Sequence, residues 1–263
     1  MELRREALRL LALRDPAQKA RAVGELPREL PLDTEAALSS ALSSDHSLPG
    51  RTERPRLVPP AAVPRRTPFT PEGRAALLHA VAHIECNAIH LALDAVWRFA
   101  GLPEAYYRDW ARVATEEAMH FTLVAEHLHT LGCAYGDFDA HDGLWAMCEK
   151  TAGDVVARMA LVPRTLEARG LDATPPMRAK FARAGDMRAT EILDIILRDE
   201  IGHVAVGNRW YRWLCEREGL DPIAHYAALA ARHGAPRLKG PFNLEARRAA
   251  GFLDEEITLL PGR

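Results

Sequence analysis

Two copies of a short pattern, Glu117-Ala118-Met119-His120 and Glu200-Ile201-Gly202-His203, constrain this chain more than any other feature. A spacing of three on an α-helix puts both side chains on one face, a turn apart, where a carboxylate and an imidazole can grip one metal ion. A single glutamate in an apolar helical stretch precedes each copy: Glu85 lies 32 positions before Glu117, and Glu167 lies 33 before Glu200. The pattern alone is weak, because Glu126-His127-Leu128-His129 also fits it. Helical phase separates the copies. At about 100° per residue, Trp110, Val113, Phe121, Val124 and Leu128 share the face of Glu117 and His120. Likewise Leu193, Ile196, Leu197, Val204 and Gly207 share the face of Glu200 and His203. Glu126 and His129 fall half a turn away and should face outward.

Four carboxylates gathered in an apolar core are each costly unless compensated. Two divalent cations would balance Glu85, Glu117, Glu167 and Glu200, with His120 and His203 as neutral ligands. Hard oxygens with one imidazole per metal suit two iron ions, or manganese, better than zinc. One Glu from each of two helices and a Glu-x-x-His from each of two others is the ligand set of di-metal carboxylate bundles. A metal-bound imidazole usually passes its other N–H to a carboxylate. Asp199 and Glu116, which immediately precede the two ligand glutamates, are candidates for that outer role, with ordinary helix-flank acids as the alternative.

The rest of the chain reads as all-α. Ala, Leu and Arg are abundant, β-branched runs are scarce, and 48% of the 263 residues are hydrophobic. Thr70-Pro71 starts a helix that runs to about Phe99, and a second runs from Pro103 to about Leu131. A third runs from about His141-Asp142, which should cap it, to Gly170, and is kinked or bulged at Pro163. A short helix opens at Pro175-Pro176, and a fourth long one runs from Gly185-Asp186 to about Glu218. Short helices at 2–14 and 16–24, with a further turn near 34–43, precede an arm at about 44–69. The arm is rich in Pro and Arg, and its Leu57, Val58 and Val63 should lie on the helices. Arg51, Arg54, Arg56, Arg65 and Arg66 against Glu53 make it locally basic, which reads as a solvated face. Pieces near 221–232, 243–250 and 253–259 close the chain. One domain is expected, with 70–218 as a four-helix bundle, 1–69 packed on it and 219–263 as its extension. Trp97, Tyr106, Tyr107, Trp110, Trp210 and Tyr211 read as core aromatics, and His79 and His83 as surface or helix-packing histidines.

The formal net charge of -2 gives no general signal for nucleic acid or anionic membrane. The charged N-terminus is unlike a signal peptide, no uncharged stretch of about 18 residues spans a bilayer, and a cytoplasmic location is expected. Cys86, Cys133, Cys148 and Cys215 form no Cys-x-x-Cys pair.

The six-residue pattern over 70–218 resembles the ferritin-like di-iron carboxylate superfamily, which includes ferritins, rubrerythrins and bacterial multicomponent monooxygenases. Further stretches resemble an uncharacterised ferritin-like family known as a domain of unknown function (number four hundred and fifty-five). They are His83-Ile84-Glu85, Tyr135-Gly136-Asp137-Phe138, Glu167-Ala168-Arg169-Gly170-Leu171-Asp172, Asp199-Glu200-Ile201-Gly202-His203-Val204 and Gly240-Pro241-Phe242-Asn243. The superfamily resemblance implies that Glu117 and Glu200 bridge two metals while Glu85, Glu167, His120 and His203 are terminal ligands. It implies an O2- or peroxide-activating oxidase or oxygenase acting on a small organic molecule. Iron handling as a ferroxidase is the alternative, and a tRNA-modifying hydroxylase, supported only by the basic arm, is another. The lack of a rubredoxin-type cysteine site departs from rubrerythrins and would leave electron delivery to an external donor. About 70 residues before the bundle and 45 after it should obstruct the shell packing of ferritins, so a monomer or small oligomer is expected.

Overall fold

The structure, a computed structural model, describes residues 1–38, 48–64 and 66–262. It is all-α as expected: among the described residues the sole extended pairing is an isolated bridge between Leu57 and Ala140. The chain forms two compact units, Met1–Trp145 and Ala146–Arg263.

The first unit is built on a helical hairpin of α3 (Pro71–Arg98) and α4 (Glu104–Thr130). Thr70 starts α3 as its sequence implies: its hydroxyl accepts the Gly73 N–H at 3.1 Å, and Pro71 fills the first turn, where no backbone donor is needed. By length and composition alone α3 could cross a membrane, but 78% of its most apolar window is buried in the folded chain. Helices α1 (Leu3–Leu11) and α2 (Pro16–Gly24) pack on this hairpin. Buried Arg4 donates to the carbonyls of Asp33, Thr34, Ala36 and Trp97, and so ties α1 to the C-terminal end of α3. The expected turn near 34–43 is limited to Thr34–Glu35 in the described residues, and positions 39–43 lie outside them.

The arm is held on this unit, but not by the apolar residues expected to lie on the helices: Leu57 is 41% exposed and Val58 and Val63 are half-buried, and backbone bonds with an ion pair hold it instead. Val58 N–H donates to the Ala140 carbonyl at 2.8 Å and Ala140 N–H to that of Arg56 at 3.0 Å, while Arg56 pairs with Asp139. Arg65 lies outside the described residues. The six aromatics expected in the core are buried, and His79 and His83 are packing residues.

The second unit pairs α8 (Met187–Glu218) with a broken partner. The expected continuous helix over 141–170 is divided into α5 (Gly143–Lys150), α6 (Val155–Leu161), a π-helical segment (Val162–Glu167) and α7 (Ala168–Arg183). The α5–α6 break has a local cause. Asp154 caps α6 by accepting the Ala157 N–H, and buried Arg158 donates to the Cys148 carbonyl left open at the end of α5. His141 accepts the Gly143 N–H, whereas Asp142 is committed to Arg51. The bulge expected at Pro163 is present. Proline donates no N–H, the ladder widens to a π-turn, and the Thr165 hydroxyl binds the Ala160 carbonyl at 2.7 Å.

Two expectations fail beyond this point. Gly170 does not end the helix, and Pro175-Pro176 does not begin a new one: α7 runs through both. Tertiary packing explains this, because Leu171 and Ala168 are buried against Val204, Ala246 and Ala250. The Leu171 carbonyl, which loses its helical donor at Pro175, accepts instead from the Asn243 side chain at 3.3 Å. Asp186 caps α8 through the Ala189 N–H, and Gly219, at φ 66°, provides its left-handed stop. Helices α9 (Pro222–Arg232), α10 (Leu244–Ala249) and α11 (Asp254–Thr258) complete the unit. Arg164 fastens the π segment to them: its guanidinium lies against Tyr211, Tyr226 and Phe252, donates to Asn208 and pairs with Glu256.

The two glycines of α8 differ. A Cβ on Gly207 would sit 2.6 Å from Pro163 Cβ, so the bulge and α8 approach each other through this glycine. A Cβ on Gly202 meets nothing within 4 Å, so no close neighbour accounts for that residue. Gly207→Ala should therefore destabilise the chain by about 1–3 kcal/mol, and Gly202→Ala should raise stability by up to about 1 kcal/mol. Urea midpoints of the two variants check this; equal shifts would contradict it.

Candidate metal centre

The helical phases read from sequence hold. In α4, Trp110, Val113, Glu117, His120, Phe121, Val124 and Leu128 are all buried, and Glu126 and His129 are exposed. In α8 the face of Glu200 and His203 is buried with Leu193, Ile196, Val204 and Gly207, and Leu197 on the same face is half-buried.

Within the first unit, α3 delivers Glu85 and α4 delivers Glu117 and His120 to one place. Their exposures are 2%, 0% and 0%. Each offers a ligand atom within 4.8 Å of the others. His120 Nδ1 lies 3.2 Å from Glu117 Oε2 and 3.4 Å from Glu85 Oε2. Burial pushes the His120 pKa down, but the two carboxylates outweigh it and raise it to about 11. A metal ligand must be the neutral imidazole, so metal binding here would displace that proton. The donor set fits a hard divalent cation: two carboxylates and one imidazole, withdrawn from water.

Within the second unit, α8 places His203 Nδ1 3.8 Å from Glu200 Oε1, with both side chains buried. Glu167 ends the π segment, which packs on α8, and is itself buried. A π-bulge shifts every following side chain round the helix, so Pro163 sets the direction in which Glu167 projects. Of the two outer acids, Asp199 pairs with Arg198 at 2.8 Å and Glu116 with Arg112 at 3.4 Å.

A second polar face of α3 contains His79 and His83, expected as surface or packing histidines, together with residues whose grouping was not read from the sequence. His79, His83, Asn87 and His90 are buried with Cys86. His79 accepts the Gly136 N–H and stacks on Tyr135, and His83 contacts the Tyr135 hydroxyl at 2.9 Å. Burial lowers both of these imidazoles to about 4. Below this face, Lys19 of α2 is 1% exposed and meets His90 Nε2 at 2.7 Å. The available signal was the run of His, Cys and Asn at helical spacings of three and four through an otherwise apolar helix.

Fold and site together define an all-α protein with a buried Glu/His group able to hold a metal. Residues 12–258 match the family described as "Protein of unknown function (DUF455)". The chain belongs to this family. It is also 54% identical over 212 residues to an "Uncharacterized protein" of Haemophilus influenzae, covering 78% of this chain and 74% of that one. No solved structure matches the chain significantly.

Proposed function

We propose that this protein is a di-metal carboxylate enzyme of the ferritin-like kind, an oxidase or oxygenase acting on a small organic substrate. Its metal ligands are Glu85, Glu117, His120, Glu167, Glu200 and His203. The observation that carries the reading is the convergence of Glu85, Glu117 and His120 in a dry interior, where carboxylates are retained at a cost that a cation would offset. The same residue types at the same spacing in α8, with Glu200 and His203 both buried, support it. So does the recurrence of a lone glutamate about one helix length before each copy.

Held by these residues in the reduced form, a pair of iron ions would supply electrons to O2 or peroxide. The chain's own contribution is positional. Glu117 and Glu200 would hold metal with carboxylates presented from helix interiors, and His120 would give up its proton on binding. The apolar neighbours Val113, Phe121 and Val124 keep bulk water from the group. Asp199 and Glu116, each paired with an arginine of its own helix, are the acids proposed to orient the imidazoles.

The test loads the full chain anaerobically with ferrous iron and follows O2 uptake after mixing. Rapid uptake is expected, without growth of an iron core, and should be abolished in Glu85→Ala. No O2 uptake would refute the oxidase reading, and a large assembly holding many irons per chain would replace it with storage.

A further inference from the structure

The first unit contains a cavity of about 210 Å³ that lies among the arginine-rich arm, α2 and the second polar face of α3. A bound water needs about 10–15 Å³ on the same scale, so this space admits a molecule of metabolite size. Its lining carries four guanidinium groups, Arg14, Arg51, Arg54 and Arg56, and the amine of Lys19, against the single carboxylate of Glu53. Arg51 and Arg56 have acidic partners of their own in Asp142 and Asp139. Among the described residues no carboxylate pairs with Arg14 or Arg54; Arg14 donates only to the Arg51 carbonyl, at 3.0 Å.

The floor is more telling than the rim. Lys19 is buried, and its amine meets the carbonyls of Leu11 and Gly50 at 3.1 and 2.9 Å and the His90 imidazole. All three partners are neutral. A lysine taken out of water is normally matched by a carboxylate, and here burial depresses its pKa to about 7. Asn87, 1% exposed, lines the same space. An arginine rim, a buried lysine without a counter-ion and the apolar edges of Pro16, Leu57 and Tyr135 together describe a receptor for an anion with an organic body.

We propose that this cavity binds a small organic anion, a metabolite bearing a phosphate or a carboxylate, with Arg14 and Arg54 gripping the charged group above Lys19. The basic arm thereby acquires a role beyond solvation. Concavity favours a small molecule over a nucleic-acid strand, which would need an open groove along its backbone. The site does not depend on the metal reading, because none of Glu85, Glu117 and His120 lines it.

Calorimetry on the purified chain with inorganic phosphate, adenosine monophosphate, succinate and a single-stranded oligonucleotide tests the proposal. At least one of the three small anions should bind with Kd below about 1 mM and raise the unfolding midpoint. Phosphate or the nucleotide alone would assign a phosphate site, and succinate alone a carboxylate site. Arg14→Gln and Arg54→Gln should each weaken binding by about tenfold or more with helix content unchanged. Lys19→Met, which removes the amine beneath the arginines, should weaken binding less than either arginine variant. The proposal is overturned if none of the three binds, if the arginine variants bind as the parent does, or if the oligonucleotide alone binds.

Discussion

Glu117→Ala is expected to strip the protein of most of its bound metal. The residue is wholly buried in α4, within 4.8 Å of ligand atoms of Glu85 and His120. In the proposed ligand set it would hold metal directly, so its loss would remove a ligand and a negative charge from the site. Losing even an outer partner of a ligand commonly lowers affinity by about 10–100-fold, and losing a ligand itself should exceed that. Glu200→Ala should do the same. Glu126→Ala and His129→Ala supply the controls: both side chains are exposed on the opposite face of α4, and both variants should keep full metal content. Elemental analysis of the four purified variants decides the matter. Full occupancy in Glu117→Ala would exclude that residue as a ligand.

The second large effect concerns stability. Arg247 of α10 is 1% exposed and donates to Asp172 of α7 through Nε at 3.1 Å and Nη2 at 2.6 Å. Phe242 and Phe252 lie against its guanidinium at 5.1 and 5.2 Å. Asp172 also accepts the Asn243 N–H at 2.9 Å. Asp172→Ala therefore leaves a guanidinium buried without its carboxylate and frees the turn that precedes α10. Breaking a buried pair from one side typically costs about 3–5 kcal/mol. Urea unfolding should show a loss of this order, and the double variant Asp172→Ala/Arg247→Met should recover part of it. A loss below about 1 kcal/mol would mean that water reaches Arg247.

This pair also explains two of the stretches that carry the family resemblance. Glu167–Asp172 and Gly240–Asn243 are distant in sequence, yet Asp172 and Asn243 are bonded. In the fold the two stretches form a tertiary clamp.

What was legible in the sequence follows the range of the interactions involved. The faces of α4 and α8 were legible because apolar periodicity directly encodes burial. The bulge at Pro163 was legible because a missing N–H acts within one turn. The course of α7 through Pro175-Pro176 was not, because the donor that satisfies the freed Leu171 carbonyl comes from Asn243, 72 residues away. The break after α5 depends on Arg158 reaching back to the Cys148 carbonyl, and Gly153 alone is too weak a signal. Lys19 was missed because lysine is ordinarily a surface residue, and nothing in its local sequence marks it as buried beneath His90.

The count of metal ions in the wild-type chain bears most directly on the proposed function. Purified protein, reconstituted anaerobically with ferrous iron and freed of excess, should hold about two ions per chain. One ion per chain, or none, would contradict a di-metal centre at Glu85, Glu117, His120, Glu167, Glu200 and His203.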